Sequence, residues 1–251
     1  MTQKQNTILI IGSGKLARHL FHWLKSLNQQ NQADQSQIQI FTWNRSLPLS
    51  NLYDLLEKVD SVWLAISDKA ISDFYNQHLA HFEKKYVHFS GSYSHDKIDC
   101  IHPLMTFADH LYEKDFYPSI YLTTFGDKSL TDIAPFLTNP NIKVSIENKK
   151  LYHALCVVSG NVPQMIWSKT VAASKSQALF ADDQIIQAFA QFWNQSLINL
   201  ITTLNTNQSS EAVTGPIIRK DSQTIKENLN SLQNQTFLKS VYESALSYTK
   251  E

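Results

Sequence analysis

Glycine is scarce in this chain, with six among 251 residues, so the glycines that do occur mark positions where the backbone needs one. Cysteine is scarcer still. Cys100 and Cys156 are the two present, far apart and without metal-type spacing, which excludes a zinc-ribbon pattern and suggests a reducing compartment. Neither sign of charge is in excess: Lys+Arg and Asp+Glu stand at 22 each, which argues against a nucleic-acid partner. Long apolar runs are also missing. The opening MTQKQNTILIIGSGK has an apolar run of about four residues, whereas a membrane span needs roughly 18 or more. It reads as a buried strand, and the chain as cytoplasmic with no membrane partner. What is abundant is apolar content, 43%, enough for a sizeable core in one large domain or two ordinary ones.

The first 148 residues alternate strand and helix. Short β-branched or aromatic runs occur at TILIIG, IQIFTW, SVWLAI, KYVHFS, DCIHPL, IYLTTF and IKVSIE, several of them continuously apolar as strands buried on both faces are. Helical patterns such as KLARHLFHWLKSL and LYDLLEKV lie between the early ones. That alternation predicts an α/β domain with a mostly parallel, doubly wound sheet. From about Asn148 the periodicity turns helical with no strand signal, so residues 149–251 are expected to form an all-α domain for substrate and dimerisation. Its apolar faces, among them Phe192, Trp193, Leu197, Ile201 and Leu204, exceed what one partner helix covers and predict a homodimer.

The first chemical motif is ILIIGSGKLARHL. Gly12, Gly14 and Ala17 fit G-x-G-x-x-G/A directly after a strand and directly before a helix, with Ser13, Lys15 and Leu16 in the turn. Gly12 permits the tight turn, Gly14 lets a pyrophosphate approach the backbone, and Ala17 allows close packing of helix on strand. Free N–H groups at the helix start favour the phosphate charge. The second strand ends in Asn44-Arg45-Ser46, where NAD enzymes place an acid. Arg45 between small polar neighbours suits a 2′-phosphate, so NADP is expected with NAD possible; Arg45 as a solvated loop residue is the alternative. The Gly14-to-Arg45 spacing exceeds the usual twenty or so residues, and NQQNQADQSQ is the apparent insertion. Other strand ends carry Ser67-Asp68, Ser90-Gly91-Ser92 and His102-Pro103, which together mark a cofactor-binding face without naming a reaction.

In the helical half, Lys149 and His153 stand four apart, and Lys150 and His153 three apart, so either lysine can share a face with the histidine. On a regular helix Lys150 and Asn161 also fall within roughly 20° of each other, unless Gly160 and Pro163 kink it. A histidine can donate a proton near neutral pH, as reduction of a carbonyl or imine requires. Further on, TGPIIRKD (214–221) breaks the helical pattern with Gly215-Pro216 and sets Arg219 and Asp221 beside the break. Asp221 either orients Arg219 or caps the next helix.

The motifs IGSGKLA, AISDKAI, HFSGSYS, IHPLMTF, LYHALCVVSGN and TGPIIRKD, in this order, resemble the Rossmann-like proteins that carry a C-terminal domain of unknown function 2520. These are similar to pyrroline-5-carboxylate reductase, ketopantoate reductase and the 6-phosphogluconate dehydrogenase superfamily. The resemblance implies an NAD(P)-binding domain, a helical domain that often dimerises and closes over the nicotinamide end, and oxidoreductase activity. It implies a catalytic role for Lys149 with His153, where related hydroxyacid dehydrogenases have lysine and asparagine four apart. It also implies that Arg219 meets a substrate carboxylate or a cofactor phosphate. The chain departs from the pattern at Lys220, where a glycine normally precedes the aspartate, and at Ser67, where a proline is common. The expected function is NADP-dependent reduction of a small carbonyl or imine compound that carries a carboxylate, with a non-catalytic NAD(P)-binding regulatory or sensor protein as the alternative.

Overall fold

The computed structural model describes residues 6–30, 38–178, 184–205 and 213–248. Two compact units are present, residues 1–160 and 161–251. The first is built on seven strands: β1 (Thr7–Ile11), β2 (Gln39–Trp43), β3 (Ser61–Leu64), β4 (Lys85–His88), β5 (Asp99–Pro103), β6 (Leu122–Phe125) and β7 (Asn141–Val144). Each of the seven expected runs contributes one of them. Their order is β2-β1-β3-β4-β5-β6-β7. Strands β1 to β5 are parallel, β6 runs antiparallel to β5, and β7 is parallel to β6.

The continuous apolar character of β1 has a simple cause. Ile8 and Ile10 enter a core on one face, with Leu20, Trp23 and Leu24 of α1 (Lys15–Gln30). Leu9 and Ile11 enter a second core on the other, with Leu52 and Leu56 of α2 (Leu49–Leu56) and Ile71 of α3 (Asp68–Phe74). A strand covered on both sides cannot alternate apolar with polar. The NQQNQADQSQ insertion falls mostly on residues outside the described ones. At its borders the Asn28 amide donates to Ile38 O at 2.7 Å and accepts from Ile38 N–H at 2.8 Å, tying the end of α1 to the start of β2.

After α4 (Leu130–Ile133) and β7 comes α5 (Lys149–Cys156), which opens at the junction expected near Asn148-Lys149. It packs on the sheet through Lys149 and Tyr152, and the boundary between compact units falls at Gly160 instead. A π-helical turn over Val157–Asn161 follows α5. The second unit holds α6 (Val162–Ser176), α7 (Gln184–Asn205), α8 (Ser222–Ser231) and α9 (Thr236–Ala245), with no strand among its described residues.

Candidate functional site

The strand order reverses at β1, which has β2 on one side and β3 on the other. Open α/β sheets bind ligands at the carboxyl ends of the strands beside such a reversal. A cavity of about 460 Å³ lies there, lined by Gly12, Gly14, Lys15, Asn44, Arg45 and Ser67 among others. Ser13 and Leu16 also line it, whereas Ala17 lies behind the turn, 4% exposed in the core.

The two glycines of the turn have different reasons to be there. Gly12 has φ +138°, and a Cβ on it would stand 2.2 Å from the carbonyl oxygen of Ala65. It is the residue that lets the turn press against β3. Around Gly14 a Cβ would meet nothing within 4 Å. Its backbone faces open space at the start of α1, where the first N–H groups of a helix have no intrahelical acceptor. That combination fits a pyrophosphate approaching the main chain. At the end of β2, the Asn44 carboxamide accepts from Ser46 N–H and Ser46 Oγ at 2.9 and 2.6 Å, which shapes the loop around exposed Arg45. Lys15 is engaged elsewhere: with Arg18 it pairs with Asp109, at 3.2 and 3.3 Å.

A second polar group lies at the ends of β4 and β5. Ser90 Oγ donates to Asp68 Oδ2 at 2.5 Å and accepts from the N–H groups of Ser92 and Tyr93. Ser92 Oγ donates to the same carboxylate at 3.1 Å. The fold thus joins three of the expected strand-end residues into one network. Gly91 lies against two imidazoles: a Cβ there would be 2.6 Å from His153 Cδ2 and 2.9 Å from His102 Nε2.

His102 is tied down on its other side. Tyr152 Oη donates to Thr123 Oγ1 at 2.8 Å and lies 2.8 Å from His102 Nδ1. A phenol has one hydrogen, and this one goes to Thr123. His102 Nδ1 must therefore carry the donor hydrogen, leaving Nε2 as a lone pair beside Gly91. Burial, His153 and Lys149 together depress the His102 pKa to about 4, so the ring is neutral at physiological pH. The His102 and His153 ring centroids are 6.2 Å apart.

Tyr152 and Thr123 were not singled out from the sequence, nor was His88. No spacing rule links a threonine of β6 to a tyrosine of α5 29 residues on. Parity was the available signal, because His88, Cys100 and His102 point to one face of β4 and β5, and Thr123 and Phe125 of β6 join them there.

Lys149 and His153 stand four apart on α5 and meet different groups, His153 lying by Gly91 and His102. The Lys149 ammonium is buried, donates to Tyr93 O and sits 4.3 Å over the Phe125 ring. Lys150 is exposed. The regular helix assumed for Lys150 and Asn161 is interrupted by the π-turn, whose wider i→i+5 winding breaks the 100° phase between them. Asn161 is the N-cap residue of α6.

In the second unit, Gly215 has φ +108° and Arg219 is exposed. Asp221 is the N-cap of α8, accepting from Thr224 N–H at 3.1 Å and Thr224 Oγ1 at 2.7 Å, so the capping role is realised. Lys220 has φ +55°, the left-handed conformation that glycine adopts freely. The chain keeps the glycine-type backbone at this position while carrying a lysine, at a cost of about 1 kcal/mol.

Residues 126–249 match the family model of a domain of unknown function, DUF2520. No curated protein matches the chain. Among solved structures, a provisionally assigned NADP oxidoreductase from Bacteroides fragilis superposes with a TM-score of 0.70 at 17% identity, covering 97% of each chain. Protein TM1727 from Thermotoga maritima gives 0.61 at 18%, covering 97% of this chain and 96% of its own. An imine reductase from Bacillus cereus gives 0.52 at 12%, covering 97% and 91%. At these identities the likeness is one of fold. The chain has a Rossmann-like fold, and its C-terminal region matches the DUF2520 model.

Proposed function

We propose that this protein is an NADP-dependent oxidoreductase that reduces a small carbonyl or imine compound, and that it works as a cytoplasmic homodimer. The observation that carries the reading is the cavity at the β1 reversal, with the open backbone of Gly14 at one wall and exposed Arg45 at another. Gly12 to Leu16 would hold the pyrophosphate, Asn44, Arg45 and Ser46 the 2′-phosphate end, and Ser67 with the Asp68–Ser90 network the carboxyl edge beyond. The cofactor in its reduced form, NADPH, would supply the hydride.

The chain's own part is the proton and the positioning. His102 is held neutral with Nδ1–H committed to Tyr152, so its free Nε2 accepts and does not donate. His153 is left as the proton donor to the developing alkoxide or amine, recharged from solvent. Gly91, with no side chain, lets the Ser90–Ser92 loop lie against both rings. Arg219 is assigned to a substrate carboxylate or a cofactor phosphate, for which its planar fork of donors is suited. The uncovered apolar residues of α7 support the dimer, and the free thiols of Cys100 and Cys156 suit a reducing compartment.

Arg45→Ala tests the cofactor choice. Loss of a charge-assisted contact of about 1.5–3 kcal/mol weakens NADP roughly tenfold to a hundredfold and leaves NAD nearly untouched. Calorimetric titration with both dinucleotides reads this, and equal losses for the two would contradict the assignment. Consumption of NADPH across a set of keto and imino acids tests turnover; tight binding without any turnover would make the protein a nucleotide-binding sensor.

A further inference from the structure

A second hollow of about 300 Å³ opens on the first unit, and no residue lines both it and the cofactor cavity. Its walls include His88, Cys100, Phe125 and Lys149, with Asp96 and Asp127 also bordering it. Lys149 is 2% exposed and His88 0%. Lysine is almost never so buried unless paired, because an ammonium without a counter-ion loses several kcal/mol of hydration. Yet the partners of this ammonium are neutral: the Tyr93 carbonyl, the Phe125 ring and the Cys100 thiol. Among the described residues no carboxylate lies within ion-pair distance of it.

His88 presents the same deficit independently. Its Nδ1 accepts from Ser90 N–H at 3.2 Å, so in the neutral ring Nε2 carries the hydrogen. That Nε2 is buried and has no hydrogen-bond partner. Buried donors are nearly always satisfied. One cation with only neutral partners and one N–H with no acceptor thus belong to residues that line the same hollow.

We propose that this hollow is a binding site for a small amino acid, whose carboxylate accepts from Lys149 Nζ and His88 Nε2. A carboxylate offers two acceptor oxygens and one charge, which answers both donors. The remaining border selects against a dianion. Asp99 is occupied by Lys128 at 2.8 Å, whereas Asp96 and Asp127 are exposed carboxylates that repel a second negative charge and attract an ammonium. The volume lies at the lower end for small-molecule sites, about 300–1,000 Å³, which suits a ligand of amino-acid size. Nothing in this site depends on the dinucleotide or on redox chemistry.

The test uses the full chain without dinucleotide, titrated calorimetrically with L-alanine, with acetate and with sulfate at matched ionic strength. L-alanine is expected to bind saturably and raise the melting temperature, acetate to bind more weakly, and sulfate not to bind. Lys149→Met should weaken L-alanine by more than about tenfold. It should also melt no lower than the parent, since an apolar side chain replaces an unpaired buried charge. Asp127→Asn, at an exposed position, should weaken L-alanine and leave acetate unchanged. Arg45→Ala should leave L-alanine unaffected whatever it does to NADP, so this site and the cofactor site can fail separately. Absence of saturable L-alanine binding through the millimolar range, or binding indifferent to Lys149→Met, overturns the proposal. Sulfate binding as tightly as L-alanine overturns the amino-acid assignment.

Discussion

Gly12 and Gly14 sit two residues apart in one turn, and the surroundings predict opposite outcomes for the same substitution. Alanine at Gly12 puts a methyl 2.2 Å from a backbone oxygen in a positive-φ conformation, and β3 cannot withdraw without breaking its pairing. Strain and overpacking together should cost about 2–5 kcal/mol, read as a lower midpoint in a denaturant melt. Alanine at Gly14 meets no neighbour, so the protein should melt within about 1 kcal/mol of the parent while dinucleotide affinity drops sharply. Gly14→Val should do the same with a larger loss of affinity. A Gly14 variant that keeps full affinity would remove this turn from the cofactor site. The motif named both glycines, but the distinction between a structural and a binding glycine came from their neighbours.

The element that organises the chemistry is the face formed by β4, β5 and β6 with α5 laid on it. Two histidines on that face, His88 buried and His102 half-buried, are neutral, with pKa values pushed to about 3 for His88 and about 4 for His102, desolvation being the leading cause for each. Above the ordinary value near 6.5, neither the folded nor the unfolded ring is charged, and stability is indifferent to pH on their account. As pH falls through 6.5 the unfolded chain takes up protons that the folded chain refuses. Stability should therefore decline with a slope of up to about 1.4 kcal/mol per pH unit for each ring, levelling only near the folded values. Denaturant melts between pH 7 and pH 5, above most carboxylate titration, are the measurement. His88→Gln should remove one ring's share of the slope; a flat profile in the parent would refute the burial account. This face was only partly readable beforehand. Lys149 and His153 were singled out from their spacing on one helix, whereas their environments depended on strands contributed by residues 88–125.

At the scale of the whole molecule, α7 leaves a row of large apolar side chains uncovered in the single chain. Phe192 is 71% exposed, and Trp193, Leu197, Ile201 and Leu204 lie between 44% and 52%. A helix so apolar on its open side calls for a partner surface, and the homodimer proposed above supplies one. Light scattering at micromolar concentration should give twice the 28.7 kDa chain mass. Phe192→Asp with Trp193→Asp should shift the protein to monomer by burying charge in the interface, with far-UV circular dichroism retained. A monomeric parent would sink the assembly.

Several features of this protein were determined by the sequence alone, and they share a short range. The seven strands follow from short runs rich in β-branched and aromatic residues. The strand–turn–helix at Gly12 to Ala17 follows from glycines next to an amphipathic stretch, and the helix break at 214–221 from Gly215-Pro216. Each is encoded by residues within a turn or two of one another, because backbone conformation and face periodicity are local. The tertiary structure alone decided what met what. Ser90 reaches Asp68 across 22 positions, Tyr152 reaches His102 across 50, and Lys149 reaches Tyr93 across 56. Those meetings depend on strand order and on where α5 lands on the sheet, and no local spacing carries that information. The same is true of the unmatched charge of Lys149 and the unmatched donor of His88, since a missing partner is visible only once every neighbour is in place.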